Sequence, residues 1–545
     1  MVKLTVPLMV QDPAFRPMPG IDLYQDVNLD DEFFLDGPIS KRVAVLDFDE
    51  NTGALRSGVK YIPPPPGRKK GEYVVANRND PTDRDLLAVS VFATVWKTMQ
   101  LFEGKDALGR RLTWAFDGPQ LLVVPRAGRM ANAYYERASR SVQFFYFASA
   151  ATACKTVYSC ASRDIVAHET AHAILDGILP DLYSALTPQA IALHECIADL
   201  TALLSAFDMS NLVAAVLAKT GGRIDVPSEF SAIAEEFGRE RGGSGPLRSL
   251  NNNRSLDPKA GLDYVRGDEP HDLSEVLSGA LFRTMCAVYE QWLKKFKGSP
   301  EKALGIASRQ FRRMIFRALD YAPPGEISFV DYGAAIIAAD EAHHPDEASG
   351  RKALIVEFVK RRIVPDKSAL NVRTNFRDKA LDDIDVATIC ESDWAAYEFA
   401  NQNRKLLGIP DKVPFRVLPR RDSTKLHYHR GNTSAEAREM IFKVSWNVKE
   451  PQNLGGGFPT QRQITVGTTL VVDWDTRMVR SLLTGDYAAE RKNRDAMLKR
   501  LVAENHIRIG DEPPIRSHLS PSISAESSGN LMRVRGTARM LHIAR

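Results

Sequence analysis

Two stretches near the middle of the chain are apolar over most of their length and are interrupted by only a few ionisable residues. The first reads DIVAHETAHAILDGIL (164–179), and the second reads TPQAIALHECIADLTALLSAF (187–207). Each pattern predicts a largely buried helix. Thr187 and Pro188 are typical of the N-cap and first position of a helix, so the second helix is predicted to begin there.

The regions before and after these two helices differ in their predicted secondary structure. Residues 83–103 carry apolar side chains at helical spacing and predict a long amphipathic helix, whereas residues 1–75 are rich in short β patterns. Residues 210–365 are predicted to be mainly helical. Beyond residue 370, segments such as FKVSWNV and RQITVGTTLVVDW predict strands. The chain is therefore predicted to be an α+β protein, with a β-rich N-terminal segment and a separate α+β C-terminal domain (370–545) of unknown role.

The polar residues of the first buried helix have the spacing of a metal site. His168 and His172 are four residues apart, so both imidazoles leave the same helix face and can bind one ion. Glu169 lies between them and could take a proton from a water molecule that zinc activates. Ionisable groups on a buried helix need partners, and a metal ion provides one.

The second helix supplies the complementary groups. Glu195 can provide an oxygen ligand, and Asp199, four residues later on the same face, can orient a ligand imidazole. Three protein ligands leave one coordination position for water, which is typical of catalytic zinc. The sequence therefore predicts one catalytic Zn²⁺ held by His168, His172 and Glu195.

HExxH followed by ExxxD resembles the gluzincin metallopeptidases, and specifically the thermolysin-like family. The resemblance covers roughly residues 80–365. It implies a two-lobed catalytic domain, with a mixed β/α N-lobe over 76–208 that carries an edge strand and the zinc helices, and a helical C-lobe over 209–365. It also implies an oxyanion-binding role for Tyr183, which lies eleven residues after His172. The loop from Tyr183 to Glu195 is about three residues longer than is usual in the family.

Two further segments extend the resemblance. ANAYYERASRSVQFFYF (131–147) is similar to the family's edge strand, which implies that Asn132 and Ala133 bind an extended substrate by strand addition. EPHDLSEVLSGALFRTM (269–285) is similar to a segment in which a histidine precedes a Ser-Gly helix start, which implies an oxyanion role for His271. His271 precedes Gly279 by eight residues rather than about four, so either the loop has an insertion or His271 is displaced. Asp268 or Asp272 could orient it.

These features predict a zinc metalloendopeptidase in which Glu169 is the general base and passes a proton to the leaving amine. Two alternatives remain. One is a gluzincin-fold binding or scaffold protein with weak or no turnover; the other is a zinc aminopeptidase. The intact Glu169 favours an enzyme, and the lack of an acidic anchor string such as GxMEN favours endopeptidase action. Glycine-rich residues 239–253 are predicted to form a loop near the cleft.

Composition limits the other partners. The 545 residues include 44% hydrophobic and 26% charged residues, as in ordinary globular proteins, and the net charge of +4 gives no argument for a nucleic-acid or membrane partner. The N-terminus lacks the apolar core of a signal peptide. We expect a cytoplasmic protein, or one exported without a cleavable signal, that acts on peptides or proteins. Its oligomeric state is not indicated by the sequence.

Other candidate sites are weaker. The cysteines at 154, 160, 196, 286 and 390 have no CxxC pair, which argues against a disulfide framework. Asp47, Asp49 and Asn51 have alternate spacing, but Gly53 is one position late for a calcium loop, so a structural calcium ion is not supported by a clear motif. His427 and His429 fall on one face of a predicted strand; a lone pair of this kind is more often simple surface.

Overall fold

The computed structural model describes residues 1–10, 22–49, 52–243, 245–428, 434–455, 457–504, 507–509 and 523–534. Helices and strands are both abundant, and the predicted α+β class is confirmed. The helices are α1 Arg84–Glu103, α2 Arg163–Ile178, α3 Pro188–Phe207, α4 Ser210–Thr220, α5 Glu235–Glu240, α6 Pro270–Lys295, α7 Pro300–Tyr321, α8 Phe329–His343, α9 Ser349–Lys360, α10 Val386–Glu391, α11 Asp393–Gln402 and α12 Arg491–Ala503.

The strands of the first half of the chain form two main sheets. They are β1 Val2–Met9, β2 Tyr24–Asp31, β3 Phe34–Leu35, β4 Ile39–Ser40, β5 Val43–Val45, β6 Tyr61–Ile62, β7 Lys70–Tyr73, β8 Leu121–Val124, β9 Ala133–Glu136, β10 Ser141–Phe144, β11 Tyr146–Ala148 and β12 Thr156–Tyr158. One sheet has the order β2-β1-β7-β6, and the other has the order β3-β4-β5-β8-β10-β9. Strand β9 pairs antiparallel with β10 and therefore forms an edge of the second sheet.

The remaining strands form two short pairs, β13-β14 and β15-β16, and one large sheet. They are β13 Ala232–Ile233, β14 Arg248–Ser249, β15 Arg254–Ser255, β16 Asp263–Tyr264, β17 Thr374–Phe376, β18 Phe415–Val417, β19 Arg421–Tyr428, β20 Ser434–Pro451, β21 Gln461–Asp473, β22 Val479–Thr484, β23 Ile507–Ile509, β24 Ile523–Ser528 and β25 Leu531–Val534. Strands β17 to β25 make a nine-stranded sheet, with β20 and β21 as its long antiparallel centre.

The predicted helices of the central region occur where the pattern indicated. Helix α1 begins after Asp83, whose side chain accepts the backbone N–H of Leu86, and its apolar side chains are buried. Helix α3 begins after Thr187 with Pro188 at its first position, as predicted. The Thr187 hydroxyl does not cap this helix but donates to Glu326 at 2.5 Å. Glu326 also accepts the backbone N–H groups of Leu186 and Thr187.

The region beyond residue 370 has a core of its own and also packs against the helices. Phe442 and Leu470 of the large sheet belong to a second core with α10 and α11. Ile441 and Val471, which alternate with them along the strands, belong to the main core. The sheet thus has one face on the helical region and the other on its own helices.

Helix α3 has the length and composition of a membrane-spanning helix, with a mean hydropathy of 1.5 over its most apolar window. That window is completely buried inside the protein. Core helices of soluble proteins commonly have the same character.

Candidate functional site

The two histidines of HETAH converge from one face of α2. Helix α2 begins after Ser162, which caps its N-terminus by accepting the N–H of Ile165. The Nε2 atoms of His168 and His172 lie 3.1 Å apart, and both residues are almost completely buried. Because each ring uses its Nδ1 atom for a contact outside this space, the two Nε2 atoms are the ones available to a shared ion.

Glu195 of α3 completes a set of three donors. Its Oε2 atom lies 3.5 Å from Nε2 of His168, and its Oε1 atom lies 3.5 Å from Nε2 of His172. Tetrahedral zinc with Zn–N bonds of about 2.0–2.1 Å requires its ligand atoms to be about 3.3–3.4 Å apart. The donor separations in the protein match this requirement, so the site fits zinc without any rearrangement of the helices.

Glu169 also approaches the two imidazoles, although it follows His168 directly on α2. Its carboxylate is within 4.8 Å of the ring nitrogens of both histidines. Two carboxylates therefore approach the imidazoles, one from each helix. Glu195 contacts both Nε2 atoms from the opposite helix, as a ligand would, whereas Glu169 lines the adjacent cavity, where a base could act on a water molecule or substrate.

A buried ion pair holds His168 in place. The Nδ1 atom of His168 lies 2.9 Å from Oδ1 of Asp199, and Arg248 donates to both oxygens of Asp199 at 2.7 and 2.9 Å. Burial alone would lower the pKa of His168, but the hydrogen bonds to Asp199 and Glu195 outweigh it and raise the pKa to about 9. Burial alone would raise the pKa of Asp199, but Arg248 and His168 hold it below its usual value. Asp199 therefore remains a carboxylate that can orient the ring.

His194 gives His172 a corresponding partner. The two Nδ1 atoms are 2.6 Å apart, and the rings are stacked with an interplanar angle of 29° and centroids 4.8 Å apart. Burial lowers the pKa of His194 to about 3, so its imidazole is neutral. One of the two Nδ1 atoms carries the proton of this hydrogen bond, which fixes the orientation of His172 and directs its Nε2 atom towards His168.

A cavity opens beside these groups. Its polar lining consists of His168, Glu169, Arg248 and Asn132. Its apolar lining consists of Ala133, Ile165, Ile233, Ala234, Phe237 and Leu247. Asn132 and Ala133 thus lie in the same cavity as the histidines, at the start of edge strand β9, where the Asn132 side chain accepts the N–H of Ala133 at 2.9 Å.

Tyr183 and Asp176 both contact Tyr135 and Arg137. The hydroxyl of Tyr183 accepts the backbone N–H of Arg137 at 3.4 Å, and its ring packs against Tyr135 and the Arg137 guanidinium. Asp176 accepts from the Tyr135 hydroxyl at 2.7 Å and pairs with Arg137. Burial raises the pKa of Tyr183, so its hydroxyl is a proton donor at neutral pH. Within the described chain, Tyr183 is not among the residues that line the cavity.

His271 is placed by a helix start that the sequence analysis missed. Helix α6 begins at Pro270, not at Ser278 and Gly279, so the expected Ser-Gly helix start is wrong. Glu269 is the N-cap: its side chain accepts the His271 backbone N–H and contacts the His271 Nδ1 atom at 3.2 Å. The proline at the first helical position and the negative charge of Glu269 beside the helix N-terminus favour the earlier start.

The orienting group of His271 is also different from either candidate. Glu269, rather than Asp268 or Asp272, contacts its ring. Asp268 instead pairs with Arg266 at 2.7 Å, and Asp272 lies 3.9 Å from Arg254. Arg500 of α12 lies 3.0 Å from Glu269, so α12 supports this segment. Within the described part of the chain, His271 is not among the cavity-lining residues.

Two residues of the site were missed from the sequence. Arg248 belongs to the segment predicted as a loop, but it lies in β14, which pairs with β13 beside the cavity. Its Nη1 atom is 3.6 Å from Glu195. His194 directly precedes Glu195, and this adjacency is the signal that could have identified it. No local pattern marks Arg248, because its partners are 49 positions or more away in the chain.

The aspartates of the weak calcium pattern are already neutralised. Asp47 is buried between Arg84 at 2.5 Å and Arg126 at 2.8 Å. Asp49 pairs with Arg56 and accepts the N–H of Thr52. Asn51 lies outside the described residues. Arginine side chains thus provide the positive charge that a calcium ion would otherwise supply to this turn.

Comparison with known proteins assigns no relative. No protein-family model matches the chain, and no curated protein is similar to it. The geometry of the site is therefore the basis on which a function is proposed below.

Proposed function

We propose that the protein is a zinc-dependent metalloendopeptidase, with His168, His172 and Glu195 as zinc ligands. The observation that carries this proposal is the convergence of three buried side chains: the two imidazole Nε2 atoms lie 3.1 Å apart, and each lies 3.5 Å from one oxygen of Glu195. The contacts of Asp199 and His194 to the outer nitrogens of the two imidazoles support it further, because zinc-bound histidines usually have such partners.

Bound zinc would supply Lewis acidity that polarises a water molecule and the scissile carbonyl. Glu169 is the base that removes a proton from that water and delivers it to the leaving amine. Arg248 lines the cavity with a guanidinium that can donate to a substrate carbonyl while Asp199 holds it in place. The oxyanion roles of Tyr183 and His271 stay predictions that depend on the thermolysin-like resemblance, as does the two-lobed arrangement of the catalytic domain.

The surroundings of the site favour a peptide as substrate. An extended peptide can add to the free edge of β9, where main-chain hydrogen bonds bind any sequence. The apolar cavity beside Glu169, lined by Ile165, Phe237 and Leu247 among others, can take one apolar side chain of that peptide. We therefore propose cleavage next to an apolar residue within an extended chain.

The alternatives are less well supported. An aminopeptidase needs a carboxylate to bind the substrate's amino group, and Glu169 is the sole carboxylate among the cavity-lining residues that the structure describes. A scaffold protein would retain the metal site without a use for the base. The buried position of Glu169 beside the imidazoles favours an enzyme, since burying a carboxylate without a role is unfavourable.

The test is Glu169→Gln, which keeps the shape of the side chain and removes the base. We expect zinc content equal to the wild type and a loss of about 10²–10⁴ in kcat on a quenched fluorescent peptide library. His172→Ala should lose both zinc and activity. Glu290→Gln, at an exposed position of α6, is the matched control and should leave both unchanged. Near wild-type cleavage by Glu169→Gln would refute the proposed mechanism.

A further inference from the structure

A second cluster of potential metal ligands lies between the helical region and the C-terminal sheet. It consists of His343 at the end of α8, His427 in β19 and Glu439 in β20. One donor atom from each residue lies within 4.8 Å of those of the other two, and all three residues are buried. None of them belongs to the HETAH site or to its cavity lining.

The hydrogen bonding of His343 directs its free nitrogen into this cluster. The Nδ1 atom donates to the backbone carbonyl of Ala339 at 2.8 Å, which places the proton on Nδ1 in the neutral ring. The Nε2 atom therefore carries a lone pair, and it lies 2.8 Å from Oε1 of Glu439.

Glu439 also presents a lone pair at this point. Its Oε1 atom accepts from the Tyr321 hydroxyl at 2.8 Å, and its Oε2 atom lies 3.2 Å from the Lys425 ammonium. The Tyr321 hydroxyl and the Lys425 ammonium both donate to this carboxyl group, which favours its ionised form. In the neutral form of His343, the Nε2 atom and the Glu439 oxygen are both acceptors, and their 2.8 Å separation requires either a proton between them or a metal ion that moves them about 0.5 Å further apart.

The surroundings of His427 favour a metal ion over a shared proton. Its side chain is 93% buried, its ring centroid is 4.3 Å from that of His343, and its Nε2 atom has no hydrogen-bond partner among the described residues. A proton shared by His343 and Glu439 would leave this buried nitrogen unsatisfied, which is costly. A metal ion would satisfy all three atoms together.

We propose that His343, His427 and Glu439 bind a second divalent transition-metal ion, with Zn²⁺ as the best match to two imidazoles and one carboxylate. This donor set is one that zinc uses in proteins. The ion would join α8 to β19 and β20, so its role is to tie the C-terminal sheet to the helical region. The Lys425 ammonium contacts Oε2 of Glu439, the oxygen that does not face His343. Its positive charge repels a metal cation, so we expect this site to bind zinc more weakly than the first one.

Metal stoichiometry tests the proposal without any activity assay. The full-length protein is stripped of metal, equilibrated with zinc sulfate, and analysed for bound zinc by mass spectrometry. We expect two equivalents for the wild type and one for His427→Gln. We also expect one for the double variant His168→Ala/His172→Ala. His344→Gln, the matched control, alters the neighbouring histidine that stacks on Tyr428 and should keep both equivalents.

The outcomes separate this inference from the proposed function. If the His168→Ala/His172→Ala protein retains zinc, and if adding His427→Gln removes it, the second site is supported. This result does not depend on whether the first site binds zinc or is catalytic. No zinc in the double variant overturns the proposal, because the intact second cluster should still bind one ion. If His427→Gln fails to fold, the double variant alone decides, since its substitutions leave the second cluster unaltered.

Discussion

Asp199 joins the two helices that carry the proposed ligands, because its Oδ1 atom on α3 lies 2.9 Å from Nδ1 of His168 on α2. Arg248, from β14, donates to both oxygens of Asp199 and extends the contact to a third element. The orientation of His168 therefore depends on a residue that does not contact the proposed metal position itself.

Asp199→Asn tests this relationship. The amide can still accept from His168, but it removes the negative charge and weakens the ion pair with Arg248. We expect zinc affinity to fall by about 10–100-fold, as is usual for such partners of metal ligands. Competition with a chromophoric chelator measures the change. Asp225→Asn removes an aspartate that pairs with Arg223 near the surface, and it should have no effect on affinity. Equal affinity for both variants would contradict the orienting role.

His194→Ala removes the partner of His172. We expect faster zinc loss to a chelator, because the Nδ1 contact at 2.6 Å no longer fixes the imidazole. Cys196→Ala is the matched control, since Cys196 is equally buried on the same helix. Both variants should unfold at lower temperature because both leave a small cavity. If zinc dissociated at the same rate from both, His194 would have only a packing role.

Arg248→Lys should separate substrate binding from metal binding. Lysine keeps the charge but cannot donate to both oxygens of Asp199 and to a substrate carbonyl at once. We expect kcat/KM to fall by about tenfold or more, which corresponds to about 1.4 kcal/mol of lost transition-state stabilisation. Zinc content should stay at the wild-type level. Loss of zinc in parallel with activity would show that Arg248 acts through the metal site alone.

Leu247→Glu should change which peptides are cleaved. Leu247 lines the cavity but is 43% exposed, so a charged side chain can be placed there with little effect on folding. We expect discrimination for apolar residues next to the cleaved bond to fall by about tenfold, with a gain for lysine and arginine. Mass spectrometry of a digested peptide library measures the cleavage preference for apolar residues and for lysine and arginine. Leu55→Glu changes another exposed leucine outside the cavity lining and should leave the preference unaltered.

The sequence predicts those parts of the fold that depend only on residues close together in the chain. The spacing of His168 and His172 requires only that α2 be helical, and Glu195 and Asp199 share a face of α3 for the same reason. The predicted start of α6 at the Ser-Gly pair was wrong. Pro270, at the first helical position, is a stronger signal for a helix start than Ser278 and Gly279.

Contacts between residues that are far apart in the chain could not be predicted from spacing. Arg248 reaches Asp199 through the pairing of β14 with β13, which follows no local pattern. His427 was interpreted as half of a surface pair with His429, which lies outside the described residues. In the structure it is buried against His343, and only the packing of the sheet on α8 brings the two together. Periodicity indicates which residues are buried, but not which of them meet.

The C-terminal sheet is predicted to be required for the stability of α2, the helix that carries two of the proposed zinc ligands. Arg421 of β19 donates to the backbone carbonyls of Gly177 and Ile178 at 2.7 and 3.0 Å, and these are among the last carbonyls of α2. Such carbonyls have no partner within their own helix, and a cation there also complements the helix dipole. Arg421→Gln should lower the free energy of unfolding by about 1–3 kcal/mol, measured by urea denaturation.

Lys449→Gln, at an exposed position of β20, should change the free energy of unfolding by less than about 0.5 kcal/mol. Deletion of residues 370–545 should have a much larger effect than either substitution, because it also uncovers the face of the main core that Ile441 and Val471 complete. We expect the shortened chain to lose cooperative thermal unfolding. A truncated protein that melted cooperatively and cleaved peptides at the wild-type rate would show that the sheet neither stabilises α2 nor gates the site.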